Sequence, residues 1–145
     1  MTDPNASPPS AVPQPVTESP GGAAYFIVLD IAAGAAAEEA VRAFLGNAAG
    51  LRRSVGHRLA GRDLNLVVGI GSTAWDRLFG SPRPAKLHPF QELRGDKHHA
   101  PSTPGDLLLH IRARTEDMCF ELATQIMQAL GSAVQPVDEV HGFRY

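Results

Sequence analysis

The chain reads as an α+β domain in the order strand, helix, strand, strand, helix, strand, a ferredoxin-like βαββαβ arrangement. Two segments, 23–31 and 106–113, carry apolar residues on both alternating faces, as strands in the middle of a sheet do. Each is followed by a stretch with apolar residues at i, i+3, i+4 and i+7, the helix period. Right-handed crossovers in this order place strands one and three at the centre of a four-stranded antiparallel sheet, with the helices on one face. Those two strands are the ones that read most hydrophobic.

The first strand, 23–31, sets Tyr25, Ile27, Leu29 and Ile31 on one face and Phe26 and Val28 on the other. A helix over 38–49 follows, with Val41, Phe44, Leu45 and Ala48 on one side, and Gly50 and Gly56 are expected to loosen the chain after it. The second strand, 64–70, turns Leu64, Leu66, Val68 and Ile70 inward and Asn65 outward. Ser72 suits the N-cap of a short helix over 73–79, stopped by Gly80 and Pro82. About twenty residues rich in Pro and Gly then connect to the third strand, too long for a bland connection; the loop either serves a function or packs on something.

In the third strand, 106–113, Leu107, Leu109, Ile111 and Ala113 face the core, and Leu108, His110 and Arg112 face away. Thr115 precedes the best helix, 116–130, which has Glu116 and Asp117 in its first turn, a stripe of Cys119, Leu122, Ala123, Ile126 and Leu130, and Gly131 beyond its end. The last strand, 134–141, is placed at an edge by Pro136. Residues 1–22 hold six of the twelve prolines and, in Val12 and Val16, few sizeable apolar side chains. A disordered tail is expected there, and the folded domain is expected to run over 23–145.

Composition narrows the function classes. With 145 residues, 43% of them hydrophobic and 19% charged, the chain has room for one core. A net charge of -2 supplies no basic footprint for nucleic acid. Cys119 is the single cysteine, which excludes an internal disulfide and any multi-cysteine metal site. There is no apolar run long enough to span a membrane and no basic-then-apolar secretion signal, so a cytoplasmic address is the default.

Six histidines are candidate ligands: His57, His88, His98, His99, His110 and His141. His98 and His99, with His88 nearby, lack the spacing of a metal motif and read as solvated loop residues. His110, on the second face of a central strand, either hydrogen-bonds within a packed interface or faces a pocket, and the interface is the better reading. Cys119 on a buried stripe is a small core hydrophobe. Asp138 and Glu139 are neighbours on a strand, point to opposite faces and cannot cooperate as a carboxylate pair. Gly69-Ile70-Gly71 lacks the third glycine or the lysine of a phosphate loop, and close backbone packing explains it better. Trp75, with Leu78 and Phe79, reads as an anchor pinning the short helix to the sheet. No catalytic or metal residue is assigned, and the cofactor-binding residues stay unknown.

Four stretches, in order, carry a resemblance: Val68-Gly69-Ile70-Gly71-Ser72-Thr73-Ala74-Trp75-Asp76-Arg77-Leu78-Phe79-Gly80; Leu87-His88-Pro89-Phe90; Thr103-Pro104-Gly105-Asp106-Leu107-Leu108-Leu109-His110-Ile111-Arg112-Ala113; and Asp138-Glu139-Val140-His141-Gly142-Phe143-Arg144-Tyr145. Together they resemble the N-terminal half of DyP-type (dye-decolourising) haem peroxidases of the class B branch. Such enzymes consist of two ferredoxin-like halves with haem b held mainly by the second. The resemblance implies peroxide-dependent one-electron oxidation of dyes or phenolics by a full-length parent, with hydrogen peroxide and small aromatic reductants as its partners.

The family's haem-ligating histidine, distal arginine and distal aspartate in Gly-x-x-Asp-Gly would all lie beyond Tyr145, and no Gly-x-x-Asp-Gly occurs here. The chain alone is therefore expected to be truncated and inactive, without stably bound haem. Some relatives are packaged in encapsulin shells. Phe26, Val28, Val67 and Leu108 require a cover, which a C-terminal peroxidase half or a second copy would supply. The alternative is a homodimeric ferredoxin-like module binding a small molecule, or binding haem through a histidine such as His110 or His141.

Overall fold

The computed structural model describes residues 13–18, 20–57 and 63–145. Along the chain run β1 (Ala23–Ile31), α1 (Ala35–His57), β2 (Asn65–Ile70), α2 (Ser72–Leu78), β3 (Leu93–Arg94), β4 (His99–Ala100), β5 (Leu107–Ala113), α3 (Glu116–Leu130), one 3-10 turn (Gly131–Ala133) and β6 (Val134–Phe143). The main sheet has the order β2-β5-β1-β6 and every pairing in it is antiparallel. β1 and β5 are central, as their two apolar faces require.

The alternation in the strands decides what is buried. Tyr25, Ile27, Leu29 and Ile31 of β1, with Leu107, Leu109, Ile111 and Ala113 of β5, form one floor. Onto it α1 sets Val41, Phe44 and Ala48, and α3 sets Met118, Cys119, Leu122, Ile126 and Leu130. Gly131 ends α3 at φ 51, a left-handed position that glycine reaches without a Cβ clash.

α1 runs from Ala35 to His57, three residues earlier and eight later than expected from 38–49, straight through Gly50 and Gly56. A mid-helix glycine costs only about 1 kcal/mol. Val55, 2% exposed, continues the buried stripe past Gly50, and burying such a side chain contributes about 1.5–3 kcal/mol. Packing therefore outweighs propensity.

α2 starts at Ser72, which is itself buried; Gly71 holds the N-cap position and no side chain caps the helix. The reason is crowding at the corner. The Gly71 amide donates to Asp106 O at 2.8 Å, and a Cβ on Gly71 would lie 2.5 Å from Gly105 O. Close backbone packing is thus the use of Gly71. Ala74 and Leu78, not Trp75 and Phe79, pin α2 to the core. Trp75 instead contacts Phe79 at 4.9 Å and donates from Nε1 to Pro82 O.

At its far end α2 is tied by a charged hub. Arg77 reaches Glu38 at 3.2 Å, Asp106 at 3.3 Å and the carbonyl of Ala32 at 3.1 Å, while Asp106 accepts from the Ile31 amide at 2.8 Å. These bonds fix the start of α1, the end of β1 and the approach to β5 around one guanidinium.

The long connection is held to the body at its start, where Pro82 accepts from Trp75 and Arg83 pairs with Asp76 at 2.9 Å, and buries little. Residues 79–104 are exposed apart from half-buried Leu87, and a two-strand ladder, β3 with β4, forms within them. β6 is an edge strand, as Pro136 requires, and extends to Phe143. Its pairing slips between Val28 and Leu29, so that Val137 bulges out. Part of the segment expected to be a disordered tail contacts the sheet: the Gln14 side chain bonds the backbone of β2, and the Arg112 side chain bonds the backbone of Pro15 and Glu18, as set out below.

Candidate functional site

The helices cover one face of the sheet and leave the other open. Strand register lines up Phe26, His110 and Val67 across that face, with Val140 beside Phe26, and sets Val28 next to Leu108. Phe26 is 37% exposed, Leu108 40% and Val140 50%. An antiparallel sheet bare on one side ordinarily turns polar residues to water; this one turns out a mostly aliphatic and aromatic patch.

His110 interrupts the patch, yet it lies flat against Phe26, with ring centroids 4.3 Å apart and planes 19° from parallel. Burial pushes its pKa below the ordinary histidine value, and the positive charge of Arg112 pushes it further the same way. At neutral pH His110 is therefore an uncharged part of the apolar face. This matches neither a solvated histidine nor a ligand held at the floor of a crevice.

Arg112, two residues on, is 4% exposed. Its Nη1 donates to Glu18 O at 2.7 Å and its Nη2 to Pro15 O, while Nε has no partner among the described residues. Next to it, Ala24, Phe26, His110, Gly142 and Phe143 line an open cleft of about 450 Å³.

A second cluster sits on the helix side, at the β6 edge. The ring of His141 stacks on buried Tyr25 at 3.6 Å and 2°, and its Nε2 lies 2.6 Å from Glu139 Oε1. Tyr25 donates its hydroxyl to Glu116 Oε1 at 3.0 Å, the same oxygen that lies 4.0 Å from His141 Nδ1. Burial, then the bond to Glu116 and nearby negative charge, push the Tyr25 phenol up to about 12. The cluster locks β1, β6 and the first turn of α3 together. Its donors and acceptors are mutually satisfied, which suits a latch more than a reactive centre.

The remaining candidates separate. Asp138 and Glu139 diverge as the pleat demands; Asp138 Oδ1 accepts from the Glu139 amide, and Glu139 meets His141. His88, His98 and His99 are exposed, with His99 beside Glu92 at 3.2 Å. Among the described residues no group of three His, Cys, Asp or Glu is placed to hold a metal ion, and no helix is long and apolar enough to cross a membrane. Cys119 is buried with its thiol pushed up to about 11, first by burial and then by Glu116. The Tyr25 latch and the Arg77 hub escaped the sequence, because register between distant strands and helices sets both. The spacing of Glu139 and His141, two apart on one strand face, was the single local hint.

A family model described as Dyp-type peroxidase, N-terminal, matches residues 13–144. A dye-decolorizing peroxidase of Brevibacterium linens is 58% identical over 140 residues, covering 97% of this chain and 38% of that protein. The encapsulated DyP-type peroxidase from Mycobacterium smegmatis, known from a cryo-EM structure, is 50% identical and superposes with a TM-score of 0.85 over 92% of this chain and 42% of that one. A DypB variant from Rhodococcus jostii RHA1 in complex with haem gives the same identity and TM-score, covering 43% of its own chain. The chain thus spans about two fifths of the length of the relatives it matches.

Proposed function

The chain belongs to the Dyp-type peroxidase family by its N-terminal domain, and we propose that its open sheet face forms one wall of the haem compartment of such an enzyme. The observation that carries this reading is the coincidence of that family match with a face left apolar by Phe26, Val28, Leu108 and Val140. The protein as a whole would oxidise dyes or phenolics one electron at a time at the expense of hydrogen peroxide.

The residues present do not fit a haem ligand set by themselves. His110 and His141 are each stacked flat on an aromatic ring, and the loop histidines are exposed. They fit a wall: apolar side chains exclude water, and a neutral His110 keeps charge off the surface. Bound haem supplies the reduction of peroxide and the one-electron oxidation of the reductant. This domain would supply shape, dryness and, through the Arg77 hub and the Tyr25 latch, rigidity. The ligand to iron and the proton-transfer groups would come from other parts of the protein. Haem in the complete enzyme, a cytoplasmic location and any packaging in a protein shell belong to the same proposal.

Haem titration tests it. The chain alone should give no stable Soret band and no peroxide-dependent dye oxidation; joined to the rest of the Brevibacterium linens relative it should give both. Leu108→Asp in the joined protein should lower haem occupancy by about tenfold, because a charge would replace part of the apolar wall. A Soret band with dye turnover from the chain alone, or full occupancy in the Asp variant, would overturn the reading.

A further inference from the structure

β2 is the one edge of the sheet that should be dangerous. Its six residues, Asn65-Leu66-Val67-Val68-Gly69-Ile70, carry no charge and no proline; Leu66, Val68 and Ile70 share the core-side face, and Asn65, Val67 and Gly69 the other. A short uncharged edge strand of this composition is the type that pairs with a copy of itself. β6, the opposite edge, is blunted by Pro136 and its bulge. β2 has no such device within its own sequence.

The device comes from elsewhere in the chain. The Gln14 carboxamide donates from Nε2 to Val68 O at 3.0 Å and accepts at Oε1 from the Val68 amide at 2.8 Å. It makes both bonds that a residue of a neighbouring strand would make. The Val68 amide and carbonyl point away from β5, and the strand pleat places the backbone groups of Leu66 and Ile70 on that same outer side. Pro13 and Pro15 flank Gln14 and carry no amide hydrogen, so the segment closes the ladder without offering a new one. Arg112, on the neighbouring strand β5, anchors it by binding the carbonyls of Pro15 and Glu18, and the residue is left only 4% exposed.

We propose that residues 13–18 form a strap that closes the edge of β2, and that releasing it lets β2 pair antiparallel with β2 of a second copy of this chain. A second copy is the occupant because the strand itself is uncharged, rich in aliphatic residues and able to pair with its own sequence in antiparallel register. The inference does not depend on haem and concerns the opposite end of the sheet from β6.

Gln14→Ala in the full chain is the test, read by hydrogen exchange and by solution mass over a concentration series. At low concentration the Val68 amide should exchange at least about tenfold faster than in the parent, since a bonded amide becomes an open one. At high concentration the variant should become dimeric, with protection returning at Leu66, Val68 and Ile70 together. Adding Val68→Pro, which removes the central amide from the edge, should abolish the dimer. Unchanged exchange at Val68 would remove the strap. A variant that stays monomeric at all concentrations, or a dimer whose edge amides remain open, would remove β2 pairing. The exchange pattern of Gln14→Ala decides the matter even where the proline variant fails to fold.

Discussion

Replacing Gly71 and Gly46 by alanine is the same chemical change, and the structure gives it opposite signs. A Cβ on Gly71 would stand 2.5 Å from Gly105 O, 3.4 Å from Asp106 O and 3.6 Å from Asp106 Cα. The first distance is about 1 Å inside the separation at which non-bonded heavy atoms rest. All three neighbours are backbone, so no side chain can swing away. Gly71 has φ -64, an ordinary angle for alanine, so the clash alone drives the effect. Relief requires β2's end and the approach to β5 to part, which lengthens the bond from the Gly71 amide to Asp106 O and disturbs the carboxylate that Arg77 holds. Forced overpacking of this type costs about 1–3 kcal/mol, and the loss of chain entropy in the unfolded state returns about 0.4–1 kcal/mol. A net loss of about 1–2 kcal/mol remains.

Gly46 is exposed inside α1, and a Cβ there meets nothing within 4 Å. Alanine should gain about 0.8–1 kcal/mol of helix propensity. Urea unfolding followed by helical circular dichroism and by Trp75 fluorescence measures both. At about 2–4 °C of midpoint per kcal/mol for a chain of this size, Gly71→Ala should melt a few degrees lower and Gly46→Ala a few degrees higher. A Gly71→Ala protein as stable as the parent would refute the close-approach account and reopen Gly69-Ile70-Gly71 as a loop with room for a ligand.

Two further outcomes rest on burial. Tyr25, pushed up to about 12 from an ordinary 10.0, is neutral in the fold where the unfolded chain has begun to ionise. Its contribution to stability is complete below pH 10 and is lost as pH rises from 10 towards 12. Ultraviolet titration of phenolate should show Glu116→Gln moving this ionisation down, since the charge on Glu116 raises it, without bringing it fully to 10 because burial is the larger cause; an unmoved titration would break the latch as described. Cys119, with its thiol pushed up to about 11, should react with a thiol reagent at neutral pH only at the rate at which the core opens, and at once in denaturant. Fast labelling of the folded protein would place the thiol outside the core.

The sequence carried those features that depend on period and punctuation. Alternation in 23–31 and 106–113 identified the central strands, the stripe from Cys119 to Leu130 identified α3, and Pro136 identified the edge, because each is written within a dozen residues. Features set by packing across the sheet were not legible. Nothing near Gly50 announces that α1 continues, since Val55 earns its burial from distant strands. Nothing near Gln14 announces an edge fifty-four residues away. Arg77 reads as an ordinary helical arginine until the fold brings Glu38, Ala32 and Asp106 around it. The contacts of 13–18 were not legible for a related reason: low hydrophobicity excludes a core role, but a strap made of one carboxamide and two carbonyls requires no hydrophobicity.

The apolar character of the second face is the sequence signal that bears most directly on function. The core under α1 and α3 is filled by the first face of β1 and β5, so closing that core places no demand on Phe26, Val28, Leu108 or Val140. A domain that kept this face in water would gain solubility from polar residues there and lose little stability. Retaining aromatic and aliphatic side chains, and tucking the one histidine among them flat against Phe26, makes physical sense for a face that is covered. The strap on β2 and the bulge on β6 close the two edges of the same sheet. The surface left for docking is thus the open face itself, and the requirement on whatever covers it is shape and dryness more than charge.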